Sequence, residues 1–218
     1  MFAHAERLFE SRPCCEQRNR GWTMNLKHAD DPENICAPTL PAEQDLSVSL
    51  AAANMRSIVF ALPPVVLIFA LYILLWGRPH LSLDLSGVFI MIGLFVLGVV
   101  AHEAIHGFVW ALWGTRSFST IKFGMNLRAL APYAHATIPM KAGAYRLGAV
   151  SPALILGAIP SFLGLLTGNF LATFFGIIFL AAAAGDFLVL WLIRNVPSQS
   201  LVKDHPTKAG CVVLVNYP

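Results

Sequence analysis

Apolar residues run through this chain in long blocks, without the strict alternation or the helical stripes that mark half-buried elements of a soluble domain. Four blocks, residues 57–76, 87–113, 147–167 and 171–192, reach the roughly 20 residues needed to cross a bilayer. Each is predicted as a membrane-spanning helix. The first carries Pro63-Pro64 and the third Ser151-Pro152 and Pro160. Membrane helices tolerate such residues because neighbouring helices satisfy the freed carbonyls, so kinks are expected there. Only Gly168-Asn169 separates the third block from the fourth. That turn signal predicts a tight antiparallel hairpin.

The stretches between the blocks are less regular. Residues 120–125 and 134–139 alternate weakly around residues 127–132, which predicts a short β-hairpin lying at the cytoplasmic membrane surface. Its edge could accept an extended substrate by strand addition; the plainer reading is a surface loop whose cations touch lipid head groups. Residues 1–56 are dominated by Arg, Glu, Asp, Pro and Cys and lack the apolar core of a signal peptide,. They read as a cytoplasmic extension, partly disordered, in which Met24 is a second candidate start. The organisation expected is therefore an extension at 1–56, a membrane domain at 57–193 and a cytoplasmic tail at 194–218. The fold class is an all-α membrane protein of about four transmembrane helices with a β-hairpin-like cytoplasmic loop between the second and third.

Composition agrees with that class. Of 218 residues 56% are hydrophobic and 12% charged, too apolar for an ordinary soluble domain. A formal charge of +3 is too small to argue for a nucleic-acid partner,. The distribution of the charge says more. Arg56, then Arg116, Lys122, Arg128, Lys141 and Arg146, then Arg194, Lys203 and Lys208 fall on one side of the four blocks, and Arg78 falls on the other. The positive-inside rule makes the first side, with both termini, cytoplasmic. Cys14, Cys15, Cys36 and Cys211 share that side without Cys-x-x-Cys spacing, so reduced thiols are expected,.

Candidate chemistry sits inside the second block. His102-Glu103-Ala104-Ile105-His106 follows fifteen uninterrupted apolar or glycine residues, 87–101. On a helix, residues four apart share a face, so both imidazoles can reach one ion while Glu103 stands beside it to handle protons. A third ligand is expected at matching depth. Asp186 is the single acid of the fourth block and lies eight positions before Arg194, as His106 lies eight before Gly114. At 1.5 Å per residue both sit about 12 Å from their helix ends. A carboxylate in hydrocarbon is costly unless paired or metal-bound, and two histidines with one carboxylate form a catalytic zinc set. The metal ligands expected are His102, His106 and Asp186, the cofactor is Zn2+, and Glu103 is the catalytic residue. Asn126, Tyr133 and His135 are candidates to stabilise an oxyanion. The small residues at 181–185 would allow close helix approach, which a shared ion needs.

These residues resemble the putative zincin peptidase family (domain of unknown function 3267), small bacterial and archaeal membrane proteins. The resemblance covers about residues 65–217. It is carried by His-Glu-Ala-Ile-His-Gly at 102–107, Ser151-Pro152, Gly185-Asp186 and the terminal Asp204-His205-Pro206-Thr207-Lys208-Ala209-Gly210-Cys211. In architecture and ligand order the chain also looks like the site-2 proteases, although it lacks an Asn-Pro-Asp-Gly motif. The resemblance implies a zinc peptidase in a prokaryotic cytoplasmic membrane, with lipids and a peptide or membrane-protein substrate as partners. The competing readings are a membrane metal transporter and a regulatory protein that holds metal without turnover. Spans one and three offer few polar groups to line an ion path, which favours the enzyme. For the tail, a second metal cluster of Asp204, His205 and Cys211 competes with simple packing against the membrane domain.

Overall fold

The computed structural model describes residues 42–79, 84–126 and 131–215. In order these form β1 (Ala42–Val48), α1 (Leu50–Trp76), α2 (Leu85–Val109), β2 (Ile121–Asn126), β3 (Ala131–Ala136), β4 (Met140–Lys141), α3 (Ala142–Pro152), α4 (Ile159–Thr167), α5 (Phe170–Ala182), α6 (Ala184–Leu192), β5 (Leu201–Asp204) and β6 (Ala209–Val215). A π-helical turn, Trp110–Gly114, extends α2, and another, Ala153–Ala158, joins α3 to α4.

Three helical runs, Leu50–Trp76, Leu85–Gly114 and Ala142–Thr167, are long and apolar enough to cross a membrane, or four if the bent pair α5 and α6 counts as one span. Their ends follow local chemistry. The side chains of Ser49, Asp84 and Asn169 accept backbone N–H groups at the starts of α1, α2 and α5, which satisfies donors a helix start leaves bare. Gly168 takes a left-handed conformation, φ 72°, and closes α4 before the expected hairpin turn into α5,. Tyr72 and Trp76 of α1 donate to the carbonyls of Gly168 and Leu165 and tie α1 to that turn. Pro63 and Pro64 lie inside α1, which continues through them.

Three expectations change. The fourth span is not one helix: its two halves meet at a 42° bend within the small-residue run at 181–185, whose side chains do little to hold a straight rod. The fold is mostly helical rather than all-α, because β1, β6, β5 and β4 build a four-stranded antiparallel sheet in that order. This sheet takes in residues 42–48, expected to belong to a partly disordered extension, and residues 201–204 and 209–215 of the tail. The first helix begins at Leu50, not residue 57. The β2–β3 hairpin forms as expected and packs along α2: Phe123 covers Gly107, where a Cβ would run into its ring. Cys14, Cys15, Cys36, Met24 and Arg128 lie outside the described residues.

Apolar burial is concentrated where sheet and helices meet. Trp110, Ile121, Met140, Tyr145, Ile193, Val202 and Cys211 form one buried cluster, drawn from α2's extension, the hairpin, α3, the end of α6 and the sheet. The outer faces of α1 and α2 stay apolar and open; Leu74 is 80% and Leu85 73% exposed. Such surface is unfavourable in water and suits a lipid environment.

Candidate metal centre

The helical period of α2 stacks His102 under His106 on the face turned into the molecule, and both are buried,. Their rings stand edge to face, centroids 4.9 Å apart, with the two Nε2 atoms at 3.2 Å. Opposite them, the first turn of α6 carries Asp186. One carboxylate oxygen lies 3.1 Å from His102 Nε2 and the other 3.3 Å from His106 Nε2. Among the described residues these three make up the group of His, Cys, Asp and Glu side chains that could hold a metal ion, with one ligand atom from each within 4.8 Å of the others. The bend between α5 and α6 sets a helix start beside Asp186, where backbone N–H groups and the helix dipole favour a carboxylate.

The donor set fits a zinc ion. His106 Nδ1 donates to the Gly148 carbonyl at 2.9 Å, so in the neutral ring Nε2 carries a lone pair. That lone pair faces a carboxylate, which only accepts. Acceptor confronting acceptor across 3.3 Å is stable when a cation or proton sits between them. Zinc bonds of about 2.0–2.1 Å in a tetrahedron place ligand atoms roughly 3.3 Å apart, close to the 3.1, 3.2 and 3.3 Å found here. His102 Nδ1 is buried with no hydrogen-bond partner among the described residues.

What surrounds His106 holds it still. Trp110 stacks on its ring at 5.3 Å, and Tyr145 stacks on Trp110 at the same spacing. Trp110 Nε1 donates to the Tyr145 carbonyl. Gly148 lets the indole approach α3, because a Cβ there would collide with it. Sequence reasoning missed this column. A Trp four residues after His106, on the same helix face, is the signal that could have found it,.

Glu103 projects beside the ligands into a cleft of about 760 Å³, which His106, Asp186, Met125, Tyr133, His135, Tyr145 and the segment Asp204 to Gly210 also line. The Ala134 backbone N–H is turned toward the Glu103 carboxylate. Of the three oxyanion candidates, Tyr133 and His135 reach the cleft; the side chain of Asn126 lies outside the described residues. Cys211 is completely buried in the core beneath the sheet, where burial pushes its thiol up to about 12. It therefore belongs to the packing of the tail, and no cluster with Asp204 and His205 forms among the described residues. Lys208 pairs with Asp45 across 2.9 Å and pins the β5–β6 turn at the cleft wall.

No curated protein and no solved structure matches this chain. The match to a family model begins before the histidine pair and ends at the first residue of β5, so it takes in the hairpin, the Gly148 carbonyl and Asp186 but not the segment from Asp204 onward. Over that stretch, residues 94–201, the chain matches the model of the family described as putative zincin peptidase.

Proposed function

We propose that this protein is a zinc-dependent, membrane-embedded peptidase that hydrolyses peptide bonds of membrane-associated or membrane-proximal substrates with an activated water. The observation that carries the reading is the meeting of His102, His106 and Asp186 beside a cleft that His106 and Asp186 line together with Glu103. His102, His106 and Asp186 would hold the ion. Zinc, when bound, supplies Lewis-acid chemistry and brings the ionisation of a water into the neutral range. Glu103 accepts that water's proton and later delivers it to the leaving amine. The Ala134 N–H turned toward its carboxylate orients it. The apolar outer faces of α1 and α2 support a site that works within a membrane.

The test separates binding from turnover. Full-length protein in detergent is incubated with a tryptic digest of casein, and new amino groups are counted. Glu103→Gln should retain the wild-type zinc content and lose at least about 100-fold in rate, the range a general acid–base group supplies. Equal rates for variant and wild type would remove Glu103 from the mechanism. A zinc-loaded wild type that cleaves nothing would favour the regulatory or transport reading.

A further inference from the structure

Strand β5 ends on Asp204, and this carboxylate gathers three groups from other elements. The Tyr145 hydroxyl of α3 donates to Oδ1 at 2.6 Å. The Ala136 N–H of β3 donates to Oδ2 at 3.1 Å. His135 Nδ1 lies 3.4 Å from the same oxygen. The Asp204 side chain is only 11% exposed and that of His135 28%, and both line the cleft that holds Glu103, His106 and Asp186. The metal set requires none of this. A half-buried imidazole set against a buried carboxylate has its orientation fixed and the charge of a second ring proton compensated. With Nδ1 turned to Asp204, Nε2 is the ring nitrogen left for a ligand.

Peptide hydrolysis builds negative charge on the carbonyl oxygen, and a preorganised donor at that position lowers the barrier. The metal ligands and Glu103 supply no N–H for it. We propose that His135, its Nδ1 set against Asp204, is a catalytic residue whose Nε2–H donates to the substrate's carbonyl oxygen as charge develops, with Asp204 as its positioning residue. No bond to the protein forms, and the proton stays on the ring. The inference rests on the peptidase reading and gives a role to the tail, whose Asp204 lies beyond the family match.

The experiment compares wild type, His135→Ala, His135→Gln and Asp204→Asn in three readouts: zinc per chain, binding of acetohydroxamate as a probe of the metal alone, and steady-state hydrolysis of the casein digest. His135→Ala should keep its zinc and its acetohydroxamate affinity, lose about 100- to 1,000-fold in kcat, and leave KM within about twofold, since a transition-state donor does not hold the ground state. His135→Gln, which still offers an N–H, should recover part of the loss, and imidazole added to His135→Ala should raise its rate. Asp204→Asn should lower kcat by a smaller factor at full zinc. The proposal is overturned if His135→Ala keeps kcat within about threefold of wild type, or if it loses zinc along with activity, which would make His135 a structural support. A wild type that binds zinc and acetohydroxamate but cleaves nothing would defeat the peptidase reading itself, and the inference with it.

Discussion

His106 shows how one side chain is fixed from three directions. Its Nδ1 is committed to the Gly148 carbonyl at 2.9 Å, its face is covered by Trp110, and its Nε2 meets His102 and Asp186. Partners of this kind set the tautomer of a metal-binding histidine, and losing one typically costs 10- to 100-fold in metal affinity. Gly148→Ala is the sharpest test, because a Cβ there runs into the indole. The variant should lose about 1–3 kcal/mol of stability through overpacking and bind zinc about 10-fold more weakly or worse, read by denaturant titration and by competition with a chelator. The approach of His102, His106 and Asp186 to one another was legible in the sequence because the spacing of the histidines is helical and because ionisable groups in apolar blocks demand a reason. Gly148 was not, because every residue has a carbonyl and only the fold selects which one meets the imidazole. Asp204 and His135 stand 69 positions apart and come together only through the pairing of tail and loop.

At the scale of elements, long helices announce themselves and short strands do not. The apolar blocks located α1, α2, the α3–α4 run and the turn at Gly168-Asn169, although α1 and α3 begin several residues before their blocks. The four-stranded sheet was invisible because β1 and β6 are seven residues each and pair across most of the chain, Leu46 opposite Cys211. No local pattern reports such pairing. The bend between α5 and α6 was missed for a related reason: a run of small residues reads equally as a packing face and as a weak point. Cys211 tests the sheet directly. Its thiol stands at about 12 in the folded chain against 9.0 as its ordinary value. Between those values the unfolded chain has released a proton that the folded chain keeps, so stability falls as pH rises through that window. The midpoint of unfolding should therefore drop between about pH 8 and about pH 10, and Cys211→Ala should show a shallower drop. In the folded protein the thiol should resist a maleimide at about pH 8 and react once denaturant is added.

The molecule as a whole joins two kinds of material. Helices with apolar outer faces suit lipid, and a small sheet with a hairpin caps the end where α2, α3 and α6 bring their functional groups. The cleft lies where the two meet, so each part contributes to it: α2 and α6 the candidate ligands His106 and Asp186, β3 the wall beside Glu103, and the β5–β6 turn the far side. Composition alone indicated the first material. The second emerged only in the structure, and with it came the role of the tail. All of this converges on one claim, that His102, His106 and Asp186 hold a single zinc ion. The direct measurement is elemental analysis of the purified, detergent-solubilised full chain, wild type beside His106→Ala, with both shown to be folded. The account predicts about one zinc per wild-type chain, as three protein ligands and one open position require, and its loss in the variant. A folded wild type without zinc, or a variant that keeps it in full, would contradict the account.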